Sequence, residues 1–307
     1  VVTPGNHDGV HLGHRALVET ARRVAARETP APRVVALTFD PHPTHFVAPD
    51  RAAPLLTTPE RRAELLRGAG ADEVVIRRFD ADFSALSPEA FVEEILVGEL
   101  GACAVVVGTD FRFGALRAGD VELLETLGAP LGIRVVTVSP VTLDGELVSS
   151  SQIRAALTRG DVALAARMLT RVHDVERRVV QGDQRGRTLG FPTANLELTG
   201  LMPPADGVYA VALRILDADD ALTAKRWFGV ANLGVRPTLN AGRSMEVHVL
   251  DFEGDLYGRR LRVGFVERLR GEQKFPSLDA LKAQIARDVD HARHALEACA
   301  PELLAWI

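Results

Sequence analysis

The hydrophobic pattern of this chain changes period once, between Gly160 and Thr170, and that change calls for two different folds on one polypeptide. Before it, short unbroken apolar runs rich in β-branched residues recur at 34–37, 74–76, 104–107 and 135–138. Runs of this kind suit strands buried on both faces of a parallel sheet. Helical stretches lie between them: one from His14 to Arg27, one opened by Thr58-Pro59-Glu60 and one by Ser87-Pro88-Glu89. In the last two a hydroxyl can cap the helix and proline fits its first turn. Strands and helices alternating through right-handed crossovers predict a doubly wound α/β domain.

After the change the period is two, in 208–213, 227–231, 245–250 and 261–266, with Gly, Pro and Asp as punctuation. That pattern predicts a small antiparallel β-barrel. A closing amphipathic helix from Ser277 to Cys299 places Leu278, Leu281, Ile285 and Val289 on one stripe. The expected domains are 1–160 and 171–307, joined by a helical linker over 161–170. A chain of 307 residues is long enough for two cores.

Val1-Val2-Thr3 reads as a first strand that begins abruptly, either short or lacking residues upstream. No apolar run reaches the length of a membrane span and no leader stands out, so a cytoplasmic chain without a membrane partner is expected. A net charge of −5 argues against nucleic acid as partner. The basic cluster Arg259-Arg260-Leu261-Arg262 reads as a solvated face. Cys103 and Cys299 are far apart and lack metal-ligand spacing, so buried thiols in a reducing compartment are expected.

The densest chemistry of the first half lies in Gly5-Asn6-His7-Asp8-Gly9-Val10-His11-Leu12-Gly13-His14. Glycine lets a backbone approach phosphates, a helix N-terminus supplies positive potential, and imidazoles donate to phosphoryl oxygens. Such a site can transfer a nucleotidyl group by stabilising its transition state, with no protein nucleophile. A pair of surface histidines in a turn is the bland alternative. Two further motifs leave the sheet at the ends of strands, where ligands of such sheets bind: Thr38-Phe39-Asp40-Pro41-His42-Pro43 and Gly108-Thr109-Asp110-Phe111-Arg112-Phe113-Gly114. The segment Ser149-Ser150-Ser151-Gln152-Ile153-Arg154 opens a helix. Its serines either cap that helix or, with Arg154, surround a triphosphate.

In the second half, Gly182, Gly186, Arg187, Thr188 and Gly190 form a Gly-rich basic stretch that runs into Pro192-Thr193-Ala194-Asn195. It is either a flap over nucleotide phosphates or a long basic loop. Thr193 and Asn195 offer hard oxygens suited to Mg²⁺, which keeps waters and substrate phosphates in its shell. Glu246 alternates with Met245 and Val247 in a strand, so it faces away from them. On a pocket wall it could accept a proton from an attacking alcohol; otherwise it belongs to a solvated face.

Taken in order, these motifs resemble the bacterial bifunctional riboflavin kinase/FMN adenylyltransferase family, also called FAD synthetase, over essentially the whole chain. The resemblance implies an N-terminal nucleotidyltransferase-like domain that adenylylates FMN to FAD and a C-terminal six-stranded barrel that phosphorylates riboflavin. Both use ATP as co-substrate, with Mg²⁺. It implies that His11, His14 and Arg154 hold ATP phosphates with Gly5, Asp8, Gly9, Ser149 and Ser150 around them, and that Asp110 lies at the ribose or adenine. In the barrel it implies Thr193 and Asn195 at Mg-ATP, Glu246 as base on the ribityl 5′-hydroxyl, and Arg270, Lys274 and Phe275 in a segment closing on the flavin. The partners are then riboflavin, FMN and ATP, with a weak homo-oligomer possible.

Two residues depart from the family's pattern: His7 stands where Phe is usual, and Pro4 where an aliphatic residue is usual. A buried imidazole without a partner costs about 1–3 kcal/mol. A proline in a central strand removes a ladder hydrogen bond. The alternatives are therefore a riboflavin kinase with an impaired adenylyltransferase domain, or a flavin-binding protein with both sites silent.

Overall fold

The protein is described from a computed structural model over residues 1–182, 190–216, 225–235 and 243–307. The chain divides into two compact units, Val1–Ser150 and Ser151–Ile307.

In the first unit, β1 (Val2–Pro4), β2 (Val35–Asp40), β3 (Glu73–Arg78), β4 (Ala104–Gly108) and β5 (Arg134–Val138) form one sheet in the order β3-β2-β1-β4-β5. Every pairing in it is parallel. The first three strands step outward one way and the last two the other way, so the order reverses beside β1. That reversal opens a crevice beyond the C-terminal ends of β1 and β4.

Both faces are covered, as the unbroken apolar runs require. Val105 and Val107 of β4 pack with Phe91, Val92, Ile95 and Leu96. Their alternates Ala104 and Val106 pack with Ala21 and Val24 of helix α1 (Leu12–Ala25). The edge strands are an exception: β3 and β5 are only half-buried, with Ile76 exposed, because each has a single neighbour.

Helix α1 starts two residues before the expected His14, because the ring of His11 caps it by accepting from Gly13 N at 3.1 Å. The short helix α2 (Pro43–Val47) is capped in the same manner by His42. Thr58 caps α3 (Pro59–Gly68), and Ser87 caps α5 (Pro88–Ala90), which continues as a wide π-helical stretch over Phe91–Glu99. A single turn, α4 (Ala81–Ser84), precedes it, and α6 (Val121–Gly128) leads into β5. A small hairpin of β6 (Thr142–Leu143) and β7 (Glu146–Leu147) ends the unit.

Pro4 costs the sheet little. Gly5 N donates to Leu37 O of β2, so Pro4, one residue earlier, turns its missing donor toward β4. There the pairing already ends, at Val2↔Val105.

The second unit begins with helices α7 (Ser150–Arg159, its first residue closing the first unit) and α8 (Val162–Leu169). The stretch expected as a linker is thus mostly α8, which lies against strands β8 (His173–Val180) and β13 (Arg260–Arg270). With β9 (Ala194–Glu197), β10 (Gly207–Leu216), β11 (Trp227–Val235) and β12 (Arg243–Val249) these strands close a barrel in the order β10-β11-β12-β9-β8-β13.

The barrel also follows the period-two rule. Tyr209 and Phe265 meet edge to face at 5.5 Å, whereas Val208, Ala210 and Ala212 pack under the closing helix α9 (Leu278–Ala298). The stripe that α9 buries in this contact shares only Val289 with the expected one. Leu278 is exposed, and the contact is made by Val289, Ala292, Ala295 and Leu296. Alanines on the helix facing alanines on β10 let the two backbones approach closely, which larger leucines would prevent.

Two more expectations need correction. Arg262 is not on a solvated face: it is buried, bonded to Glu176 Oε1 and to Trp306 O. Cys103 is exposed in the turn before β4. Cys299 is half-buried at the end of α9, where loss of water pushes its thiol pKa up.

Candidate active sites

The turn after β1 is shaped by backbone that few residues tolerate. Gly9 has φ 87°, and His7 and Val10 have φ 49° and 45°. A β-branched residue at positive φ is strained, so the surroundings must hold it there. They do so on both sides. The Asp8 carboxylate accepts from Leu56 N, Thr57 N and Thr57 Oγ1 at 3.0–3.1 Å, and Ser150 Oγ donates to Asp8 O at 2.8 Å. Asp8 therefore spends its carboxylate on the protein's own loop, and Ser150, the last residue of this unit, holds its carbonyl.

This clamp presents His11 and His14 as a stacked pair, ring centroids 3.7 Å apart. Since Nδ1 of His11 accepts from Gly13, a neutral His11 carries its proton on Nε2. His7 stands edge-on to His14 at 5.1 Å, fully buried. Its Nε2 bonds Thr3 O at 3.2 Å, while its Nδ1 has no partner among the described residues. The imidazole at this position is therefore half satisfied. Gly5 leaves room for it, since a Cβ there would stand 3.0 Å from the His7 ring.

Burial lowers the pKa of His7 to about 4, with the Thr3 carbonyl opposing and Arg62 reinforcing the shift. His14 is pushed well below the ordinary imidazole value, by burial first and then by His11, His7 and Arg62. Both are neutral at physiological pH; the one N–H of His7 is spent on Thr3 O, and His14 can offer an N–H donor without carrying charge.

Asp110 is exposed at the end of β4, its Oδ1 folded back against the α-carbon of Gly108, where a Cβ would come within 2.9 Å. Ser149 and Ser150 are half-buried at the start of α7, and Arg154 follows one turn along that helix.

In the barrel, Gly186, Arg187 and Thr188 lie outside the described residues, while Gly182 and Gly190 bracket them. A side chain at Gly182 would collide with the Asn195 amide, so only glycine lets the strand end pass so close. Asn195 sits directly across from Glu246 in the β9–β12 register, and Glu246 in turn faces Asn232 on β11. Directly opposed residues share a face, so these three polar side chains form a row across three strands.

A cavity of about 390 Å³ opens nearby, lined by Pro192, Thr193, Ala194, Val247 and Val249 among others. Thr193 borders it. Asn195 and Glu246 do not, because they alternate with Ala194 and Val247 and so face the other way. Pro192 is tied to β12 through its carbonyl, 2.9 Å from His248 Nδ1.

The segment after β13 comes close to β11 beyond the end of the polar row. A Cβ on Gly234, two residues beyond Asn232, would strike Glu272 Oε1. Arg270 is held by Asp288 of α9 at 2.9–3.2 Å and lies over the Phe275 ring at 5.5 Å, while Lys274 is exposed. Sequence reading missed Asn232, Asp288 and Arg62, and named Thr38 only as part of a strand-end motif. Asn232 carried the same alternation signal as Glu246; the others reveal themselves only through their partners.

No helix among the described residues is long and apolar enough to cross a membrane, and they contain no cluster of three or more His, Cys, Asp or Glu able to hold a metal.

Comparison with known proteins falls along the same two units. Residues 1–152 match the family model of FAD synthetase and residues 169–296 that of riboflavin kinase. The bifunctional riboflavin kinase/FMN adenylyltransferase of Escherichia coli K12 is 42% identical over 294 residues, covering 95% of this chain and 91% of that protein. That of Pseudomonas fluorescens is 43% identical, covering 95% and 92%. A crystal structure described as a macrolide-efflux protein from Streptococcus pneumoniae superposes with a TM-score of 0.83 at 30% identity, covering 95% of this chain and 93% of that one. With both units matched in order and nearly the full length aligned, this chain belongs to the bifunctional riboflavin kinase/FMN adenylyltransferase family.

Proposed function

We infer that the chain makes both flavin coenzymes in succession: the barrel unit phosphorylates riboflavin to FMN, and the α/β unit adenylylates FMN to FAD, each with ATP. The observation that carries this reading is the match of two family models, one to each unit, within relatives that align across both. His7 and Pro4 do not argue for a kinase alone. His7 has a partner in Thr3 O, and Pro4 loses a hydrogen bond only where β1 has no further pairing to β4.

In the first step Glu246 takes the proton of the ribityl 5′-hydroxyl as that oxygen attacks the γ-phosphorus, and ADP departs. What supports this role is the cross-strand row Asn195–Glu246–Asn232, with the 270–275 segment arriving beside it. Thr193 and Asn195 present a hydroxyl and an amide oxygen, hard donors that fit Mg²⁺ carried in with ATP. The ion supplies neutralisation of phosphate charge when bound. Gly182, Gly190 and Pro192 shape the phosphate-side backbone, together with Gly186, Arg187 and Thr188. Arg270, Lys274 and Phe275 form the flavin side.

In the second step an FMN phosphate oxygen attacks the α-phosphorus of ATP and pyrophosphate leaves, so no protein nucleophile and no protein base is needed. His11 and His14 donate N–H bonds to phosphoryl oxygens, and Arg154 neutralises charge that builds on the leaving group. Gly5, Gly9, Ser149 and Ser150 give close backbone and hydroxyl contacts, Asp8 holds the turn that presents the histidines, and Asp110 takes the nucleoside end. The cytoplasm, where ATP is available, is the compartment that suits both steps.

Chromatographic separation of flavins after incubation with riboflavin and Mg-ATP tests the reading. FMN followed by FAD is expected. FMN alone would leave a kinase, and neither product would leave a flavin-binding protein.

A further inference from the structure

Arg62 of α3 is the largest wholly buried side chain among the described residues. Its Nη1 donates to Thr38 Oγ1 and to Phe39 O, each at 3.0 Å. Thr38 Oγ1 donates onward to Asn6 O at 2.9 Å, one residue before His7. Nε and Nη2 of the same guanidinium are buried and have no partner among the described residues. Burying a cation with two unmet donors is costly, and an apolar side chain of that volume would pack at less expense. Packing alone does not account for an arginine here.

We propose that Arg62 is a positioning residue for adenylyl transfer, bracing the 5–9 turn through Thr38 and Asn6 and setting a buried cation against that turn. This role rests on the reading of His11 and His14 given above. The charged and titratable groups acting on His14 are His11 and His7 on the turn and Arg62 on α3, and those acting on Arg62 are Asp8 on the turn, Asp40 on β2 and Glu60 on α3. Burial works against the charge on Arg62, and Asp8, Asp40 and Glu60 work to keep it. Burial first, then His11, His7 and Arg62, disfavour a positive charge on His14, so its ring stays a neutral donor for phosphoryl oxygen.

The experiment follows the ring titration of His14 by NMR, together with the pH profile of FAD formation from FMN and ATP, in the full chain. Arg62→Met should move the protonation midpoint of His14 upward. The acid limb of kcat/KM should move with it, and kcat/KM near pH 7 should fall about tenfold or more as the turn loses its brace. Arg62→Lys restores the charge and should return the titration toward that of the parent. Thr38→Val cuts the brace while keeping the cation, so it should lower kcat without moving the His14 midpoint. If Arg62→Met fails to fold, the Lys and Val variants still decide: a Lys variant with a raised midpoint, or a Val variant as active as the parent, overturns the role. An unmoved midpoint in a folded Met variant also overturns it. His14→Ala separates the two levels. If it makes FAD at the parental rate the reading of the site fails, whereas loss of FAD there with no effect at Arg62 removes only Arg62.

Discussion

His7 places an ionisable ring where the fold gives it one hydrogen bond and no water. Its pKa is lowered to about 4 in the folded chain, against an ordinary 6.5, so the unfolded chain takes up the proton first as pH falls. Stability from this site is therefore complete above about pH 6.5 and is lost as pH falls toward 4, by at most about 3 kcal/mol. His7→Phe should flatten that dependence. Urea unfolding of the α/β unit at pH 5 and pH 7.5 measures it, and an unchanged difference between the two pH values would place its origin in His14 or elsewhere. Glu246 calls for a different test, because its role is chemical. Glu246→Gln keeps the shape of the Asn195–Glu246–Asn232 row but removes the base. FMN formation from riboflavin should fall by about 10²–10⁴-fold, while FAD formation from supplied FMN stays at the parental rate. Near-normal kinase turnover would take Glu246 out of the mechanism.

At the scale of elements, the closing helix holds the barrel by two unlike contacts. Its last turns are alanine against alanine, Ala292 and Ala295 over Ala210 and Ala212. About one turn earlier, buried Asp288 takes both Nε and Nη2 of Arg270, with Gln284 Nε2 donating to the same carboxylate at 2.8 Å. Arg270 in turn covers Phe275, so the helix sets the position of the segment that meets Gly234. Asp288→Ala leaves Arg270 without its counter-charge and should destabilise the barrel by about 1–3 kcal/mol. Because it also frees the 270–275 segment, KM for riboflavin should rise more than kcat falls. Calorimetry and initial rates read the two effects separately. A variant that melts early but keeps the parental KM would show that Asp288 only fastens the helix. Pro4 belongs at this scale too, since its tolerance depends on where β4 stops pairing.

For the whole molecule, the position of the division matters. Helix α8 buries Val162, Ala165, Ala166, Met168 and Leu169 and packs on β8 and β13, so it is part of the barrel unit. A fragment of residues 151–307 should fold and phosphorylate riboflavin at close to the full-chain rate. A fragment starting at residue 171 exposes that apolar face of the barrel, and it should unfold at lower urea concentration by about 2–5 kcal/mol. Equal stability of the two fragments would mean that α8 is a tether after all. Neither fragment should make FAD.

The sequence by itself determined the architecture, because periodicity is a local property. Unbroken Val-rich runs such as 104–107 can only be satisfied by cover on both faces, and the alternation in 208–213 needs one face toward a barrel core. It also supplied the order of chemical motifs, from His11 and His14 through Thr193 and Asn195 to Glu246, since these depend on residue type and spacing. Tertiary structure alone decided which polar groups meet. That Asp8 binds 56–57, that Asn195 lies across from Glu246, that Thr193 borders a cavity, and that Arg62 reaches Asn6 through Thr38 all depend on register and on long-range contacts. The buried stripe of α9 was decided there as well. A helix shows several apolar lines to a reader of its sequence, and only the alanines waiting on β10 select the one that can come close.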